Sequence, residues 1–399
     1  MSGSSPAHVL ITADAVGGVW TYALTLAREL TRRYGVQVSI ATFGPDPSEE
    51  QRSAAAAVGA AVYPLGFRLE WMDQAHLDHA AAVESLRGLV RRLRPDILHA
   101  NQHAFGVLSD ELPTLVVSHS DVLSWWSWVL FDGAGFEPPE YLNWYRQTVQ
   151  QGLHRATAVA CPSRFTQRCL ARFYHLPEAR VIYNGVALDP SWTPGATQHT
   201  TRRGAIVAGR LWDRAKNITV VIEAARLLHG RVPVTVAGPC SDAEGRCIAL
   251  PEAPGLTYTG MLPQPRLLEC FRRHALYVAA SCYEPFGLSA VEAALCGCAV
   301  VASDIPSHRE LWEGAAVFFQ HRSPENLAAR LEALEADPAW RNKVAAACLA
   351  RARRFSASEM AVRYLALYRE LMAAPRHVPP PEDVPVLMPP EAAASPHAP

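Results

Sequence analysis

Short apolar runs that alternate with longer amphipathic stretches constrain this chain more than any other feature. Residues 8–13, 36–43, 96–100, 115–118, 158–161 and 180–183 read as buried strands, and helical patterns over 20–33, 76–93 and 163–172 fall between them. Parallel strands need crossovers of a dozen or more residues, and each crossover helix must bury its apolar stripe on the sheet. The pattern pauses at the polar, proline-containing stretch 189–203 and resumes with strands at 204–208, 234–237, 256–259, 275–280 and 299–302. The expected fold class is therefore α/β, with two Rossmann-like doubly wound parallel sheets. Ligands of such sheets sit beyond the carboxyl ends of the strands, so candidate functional residues are sought just after each apolar run.

The richest of these joints is Tyr283-Glu284-Pro285-Phe286-Gly287-Leu288-Ser289-Ala290-Val291-Glu292. Pro285 and Gly287 turn the chain, and Ser289 is expected to cap a helix. A helix start there offers free N–H groups and a positive dipole end to phosphate, while two carboxylates accept hydrogen bonds from sugar or ribose hydroxyls. The combination points to a nucleotide-sugar. Two solvated helix-end glutamates are the bland alternative.

Glu284 and Glu292, with seven residues between them and Pro-Phe-Gly-Leu after the first, resemble the Glu-x7-Glu motif of retaining glycosyltransferases, the large family 4 above all. The resemblance implies the GT-B architecture, two Rossmann-like domains facing a central cleft. It places Glu284, Phe286 and Gly287 at the donor sugar, the amides of Leu288 and Ser289 at the diphosphate, and Glu292 at the ribose. Gly209-Arg210 and Lys216 are similar to the family's cations for the donor diphosphate. Arginine forks across two oxygens, and both cations lie at the mouth of the second sheet. Gly17 and Gly18, after the first strand, occupy the place of the family's glycine loop, although Gly-Gly alone is ordinarily only a turn. His119 resembles the histidine beside the reacting sugar and is the second catalytic candidate with Glu284. Asn101 stands where relatives often carry a histidine.

His99, Asn101 and His103 also follow a strand, and the two histidines straddle its end without an evident third ligand, so no metal site is expected from them. Trp125, Trp126 and Trp128 form an aromatic group with three readings: helix packing, an acceptor platform that stacks on sugar rings, and shallow membrane contact. Trp125, Trp126, Asn101 and His103 are the acceptor candidates. The basic runs at 91–94 and 351–354 read as solvated helix faces or contacts to anionic lipid. Glu310 is either a ligand contact or a helix-start carboxylate.

The expected organisation is an N-terminal domain over residues 1–188, joined by a returning helix at about 358–373, a linker at 189–203, a donor-binding domain at 204–357 and a disordered Pro/Ala-rich tail at 374–399. With 399 residues, 49% of them hydrophobic, the chain has material for two to three cores. A net charge of −1 supplies no field for nucleic acid. Nine cysteines without a Cys-x-x-Cys pair read as buried thiols of a reducing compartment. No leader pattern and no apolar run near the ~18 residues of a membrane span are visible, so the expected location is cytoplasmic, with peripheral contact at the inner membrane face as an option.

Together these features imply a retaining transferase that moves a sugar from a nucleoside-diphosphate donor to a hydroxyl of a glycan, lipid or small molecule. Neither a cofactor nor a metal is expected, since no Asp-x-Asp pair is present to hold a divalent ion on the diphosphate. The alternatives are another enzyme on the same architecture, a nucleotide-sugar epimerase or glycan phosphorylase, and a non-catalytic nucleotide-sugar or glycan binding module. Oligomeric state, donor and acceptor are not encoded in any motif.

Overall fold

The computed structural model describes residues 5–15, 17–176, 178–187, 202–241, 245 and 247–374. The expected linker, except for residues 202 and 203, and the expected tail beyond residue 374 lie outside the described residues.

Two wholly parallel sheets carry the fold. The first holds β1 (His8–Asp14), β2 (Gln37–Phe43), β3 (Ala60–Pro64), β4 (Ile97–Ala100), β5 (Thr114–Val117), β6 (Ala158–Cys161) and β7 (Arg180–Val181), in the order β3-β2-β1-β4-β5-β6-β7. The second holds β8 (Ala205–Ala208), β9 (Val234–Ala237), β10 (Leu256–Gly260), β11 (Leu276–Ala279), β12 (Ala299–Ser303) and β13 (Val317–Phe319), in the order β10-β9-β8-β11-β12-β13. Both are doubly wound. Each has a switch point, between β1 and β4 and between β8 and β11, where the chain turns to opposite sides and leaves a crevice at the carboxyl ends.

The central strands are continuous apolar runs because both faces are covered. Val9, Leu10 and Ile11 of β1 and Val300, Val301 and Ala302 of β12 have no exposed surface, and each large aliphatic side chain so buried contributes about 1.5–3 kcal/mol. The helix Ala357–Ala373 does not stay with the second sheet. Its Tyr364, Leu367, Tyr368 and Leu371 join Val9, Ile11, Trp20 and Tyr22 in the core of the first, and the Tyr368 hydroxyl bonds His99 Nδ1 at 2.6 Å.

Several local expectations change. The pattern over 76–93 splits into a short turn, Ala75–Leu77, and a helix, His79–Leu93. A helix at Glu49–Ala57, the edge strand β3 and a helix at Asn143–Arg155 were not anticipated. β3 is short and ends in proline, and Asn143–Arg155 is rich in polar residues, so neither carries a clean period. Six cysteines are buried, as expected, but Cys240, Cys247 and Cys270 are not. Among the described residues no helix is long and apolar enough to cross a membrane.

Candidate functional site

The residues singled out by sequence come from loops that follow strands at the two switch points and, for His119, the next strand outward. β1 leads to Gly17 and Gly18, β4 to Asn101, β5 to His119, β8 to Arg210 and β11 to Glu284. The two glycines touch the second half of the molecule. A Cβ on Gly17 would lie 3.2 Å from Arg210 Nη1, and one on Gly18 would lie 3.9 Å from Leu288 Cδ1. Gly17, at φ 89°, is the N-cap of the helix Gly18–Tyr34, a left-handed backbone that a side chain would strain. Backbone of one sheet thus lies directly against the side chains expected at the diphosphate on the other.

Glu284 sits five residues beyond β11, and its Oε2 accepts from Lys216 Nζ at 2.6 Å and from Ser281 Oγ at 3.2 Å. Burial alone raises its pKa, but the Lys216 ammonium and its hydrogen bond outweigh burial and hold the carboxyl below its usual value. Glu284 is therefore an anion at neutral pH. Lys216, expected at the diphosphate, is thus also the charge partner of Glu284.

Ser289 does not cap the helix. Gly287, at φ 83° and ψ 65°, is the N-cap of Leu288–Leu295, no side chain satisfies the first amides, and a Cβ on Gly287 would lie 3.2 Å from Glu284 Cγ. A left-handed N-cap packed on the catalytic candidate requires glycine, and it leaves the helix amides to a ligand. Glu292, further along this helix, is 8% exposed, which removes the solvated alternative. Burial raises its pKa, and Gln264 Nε2 donates to its Oε1 at 3.0 Å.

Arg210 donates to Asp213 Oδ2 at 2.7 Å, while its buried Nε has no hydrogen-bond partner among the described residues. Facing it is Asp14, the last residue of β1, a group that the sequence reading passed over. Burial lifts its pKa to about 7 against the opposing pull of Arg210, and among the described residues its Oδ1 has no hydrogen-bond partner. The missed signal was positional: a carboxylate closing the strand at a switch point.

His119 Nε2 lies 2.9 Å from Asn101 Oδ1, and Asn101 Nδ2 donates to the Thr12 carbonyl at 2.6 Å. That second bond turns the amide oxygen of Asn101 to His119, so the imidazole carries its proton on Nε2 and keeps Nδ1 as an acceptor. Burial and the neighbouring His103 push the His119 pKa down to about 3, which keeps the ring neutral. Ser120 Oγ and the Tyr283 hydroxyl, 3.1 Å apart, place the neighbours of His119 and Glu284 in contact across the crevice.

The other acceptor candidates are placed differently. His103 is bonded at both ring nitrogens, Nδ1 to Glu70 and Nε2 to Ser118 Oγ at 2.8 Å. Burial opposes both charges of that pair, yet their mutual contact holds Glu70 below and His103 above their ordinary values. Trp126 packs on Phe136 and Tyr141. Trp125 donates its indole N–H to Asp213 Oδ1 at 3.3 Å. Trp125 and Trp126, both half-buried, thus take part in packing and in the contact between the two halves. His99 is buried between Tyr22 and Tyr368, apart from the partners of His103. Among the described residues no three His, Cys, Asp or Glu side chains converge in a way that could hold a metal ion.

The chain is similar to known proteins. A family model described as Glycosyltransferase Family 4 matches residues 16–190, and one described as Glycosyl transferases group 1 matches residues 202–337. The chain is 23% identical over 260 residues to the O-antigen chain mannosyltransferase B of Escherichia coli, covering 61% of this chain and 68% of that protein. It is 26% identical over 379 residues to the D-inositol 3-phosphate glycosyltransferase of an Arthrobacter species, covering 88% and 89%. The Anabaena protein HepE, solved in complex with UDP and glucose, has the same fold, with a TM-score of 0.66, 16% identity and coverage of 91% of this chain and all of HepE.

Proposed function

The chain belongs to the family 4, group 1 glycosyltransferases and has the GT-B fold, and from that premise we propose that it is a retaining enzyme that needs no metal. Its donor is a nucleoside-diphosphate sugar, and its acceptor is a hydroxyl of a carbohydrate, lipid or small molecule. The observation that carries this reading is the junction of Gly17, Arg210, Lys216 and Glu284, where two cations, a glycine backbone and one ionised carboxylate meet over an uncapped helix start.

The leaving diphosphate would lie on Arg210, Lys216 and the amides around Leu288 and Ser289. These donors are fixed before reaction, so the effect is electrostatic preorganisation. Lys216 bridges the two halves of the charge separation, touching Glu284 and reaching the phosphate. Glu284 accepts hydrogen bonds from the sugar and stabilises positive charge that develops on it; an anion already paired with a lysine is a weak nucleophile, which favours same-face attack assisted by the departing phosphate. Glu292 takes the ribose hydroxyls. His119 Nδ1 accepts a sugar hydroxyl. HepE, on the same fold, binds UDP, and this chain is assigned a donor of that class without a choice of base.

The test is calorimetric titration with UDP, GDP and ADP, with and without EDTA, repeated on Arg210→Ala. Selective binding of one nucleotide, indifferent to EDTA and weakened in the variant, is expected. Binding that vanishes with EDTA would remove the metal-independent mechanism, and no binding to a folded sample would remove the donor class.

A further inference from the structure

We propose that Cys240 and Cys247 are a peroxide-reactive dithiol, a modification site whose disulfide locks the backbone that carries Arg210. The two sulfurs lie 2.7 Å apart in a structure that contains no disulfide between them. Backbone pairing holds them there: Ser241 and Cys247 form an antiparallel bridge, and Ile248 N donates to the Cys240 carbonyl at 3.0 Å. Cys247 is exposed and Cys240 half-buried, so an oxidant reaches the pair.

The remaining thiols sort differently. Burial pushes Cys161, Cys169 and Cys298 up to about 12 and Cys282, Cys296 and Cys348 up to about 11. A thiol that does not ionise does not attack peroxide. Cys270 is half-buried, with no second sulfur beside it among the described contacts.

The pair is wired to the donor site through main chain. The segment 237–239 brackets Arg210 on both sides: Gly209 N donates to the Ala237 carbonyl at 3.0 Å, and Leu211 N donates to the Pro239 carbonyl at 2.9 Å. Between them Gly238 packs so closely that an added Cβ would lie 1.7 Å from the Gly209 oxygen. Cys240 is the next residue. A bond that fixes Cys240 fixes the strand end against which Arg210 is aimed.

The chemistry balances with hydrogen peroxide as oxidant. One thiolate attacks a peroxide oxygen, the O–O bond breaks to give a sulfenic acid and hydroxide, and the second thiol displaces the sulfenic oxygen as water. Two thiols and one peroxide give one disulfide and two waters. Because the sulfurs already touch with Arg210 in place, the bond preserves this arrangement, and preorganisation favours the ligand.

The full-length chain is reduced, desalted, treated with hydrogen peroxide, alkylated and digested with trypsin. Cleavage after Arg231, Arg246 and Arg266 puts the two cysteines on separate peptides, 232–246 and 247–266. The expected product is these two peptides joined, lighter than their sum by two hydrogens, from protein that still migrates as a single chain, and absent from Cys240→Ser. Separate peptides, or a bond between two chains, would overturn the dithiol. Oxidised protein is expected to bind its preferred nucleotide among UDP, GDP and ADP about fivefold more tightly than reduced protein, at the low end of coupling between sites, with no change in Cys240→Ser. Equal or weaker binding would overturn the lock. If the reduced protein binds none of the three, the donor assignment fails, while the peptide map still decides the dithiol.

Discussion

Asp14 and Glu284 are both half-buried carboxyls at or just after the carboxyl ends of switch-point strands, and each faces one cation of the second domain. Their states differ. Lys216 bonds Glu284 directly and holds it ionised; Arg210 gives its bond to Asp213, so burial dominates at Asp14 and its pKa stands at about 7. A cation committed to its carboxylate makes a fixed charge, and one committed elsewhere leaves an adjustable charge. The contrast assigns the fixed anion to a developing cation in the transition state and the adjustable group to sensing what lies on Arg210.

The comparison breaks first at Glu284. Glu284→Gln keeps the shape and removes the charge, so turnover of a competent donor should fall about 10²–10³-fold, the size of losing one preorganised electrostatic group. Nucleotide affinity should stay within about threefold, and unchanged turnover would take Glu284 out of the reaction. Lys216→Met leaves the carboxylate half-buried without its partner. Losing a charge-assisted hydrogen bond in this half-buried pair costs about 1.5–3 kcal/mol, which denaturant unfolding would show as a lower midpoint at constant slope. Adding Glu284→Gln to that variant should restore part of the loss, because the uncompensated charge is gone; additive losses would mean that the pair is not coupled.

Asp14 sharpens the same contrast through pH. Below about 7 the folded-state group is protonated and neutral, so Arg210 presents its full charge to a diphosphate. Above that value the carboxylate competes, and affinity for the nucleotide should fall about tenfold as pH rises from 6 to 8. The terminal phosphate ionises near about pH 6 and pulls the other way, so the readout is the difference between wild type and Asp14→Asn. The variant should lack the fall; a parallel profile would show that Asp14 does not face the phosphate.

Much of this was legible in sequence because it depends on local pattern. Strand–helix alternation gave two parallel sheets, and Glu284, Glu292, Arg210 and Lys216 stood out by their place after strands together with their resemblance to the family's motifs. What stayed hidden depends on partners distant in sequence. The Lys216–Glu284 pair spans 68 residues, the Asn101 bond that sets the His119 tautomer needs Thr12 to orient it, and Asp14 becomes unusual only with Arg210 across the crevice. The helix cap falls at Gly287, two residues before Ser289: serine is the better side-chain cap, but only glycine tolerates the left-handed backbone against Glu284. The packing partners of the tryptophans were hidden for a similar reason, since an aromatic run does not reveal which elements its rings will meet.

Glu310 yields the smallest effect and tests how the two halves meet. From the second domain, it accepts from the amides of Arg164 and Phe165 at 2.7 and 2.9 Å, at the start of the helix Arg164–Tyr174, and from the Tyr183 hydroxyl at 3.2 Å. A carboxylate at a helix N-terminus is ordinarily local, but this one caps a helix of the other domain, beside the passage between them. Ser163 already caps the same helix from within through Thr166 N at 3.2 Å, so Glu310→Gln should leave the first domain intact and weaken only the contact between halves, by about 1 kcal/mol for the lost charge at the helix dipole. Small-angle scattering of the variant without nucleotide should show a larger radius of gyration than wild type, and saturating nucleotide should restore it. An unchanged radius together with a lowered melting temperature would make Glu310 a plain stabilising cap with no part in holding the crevice closed.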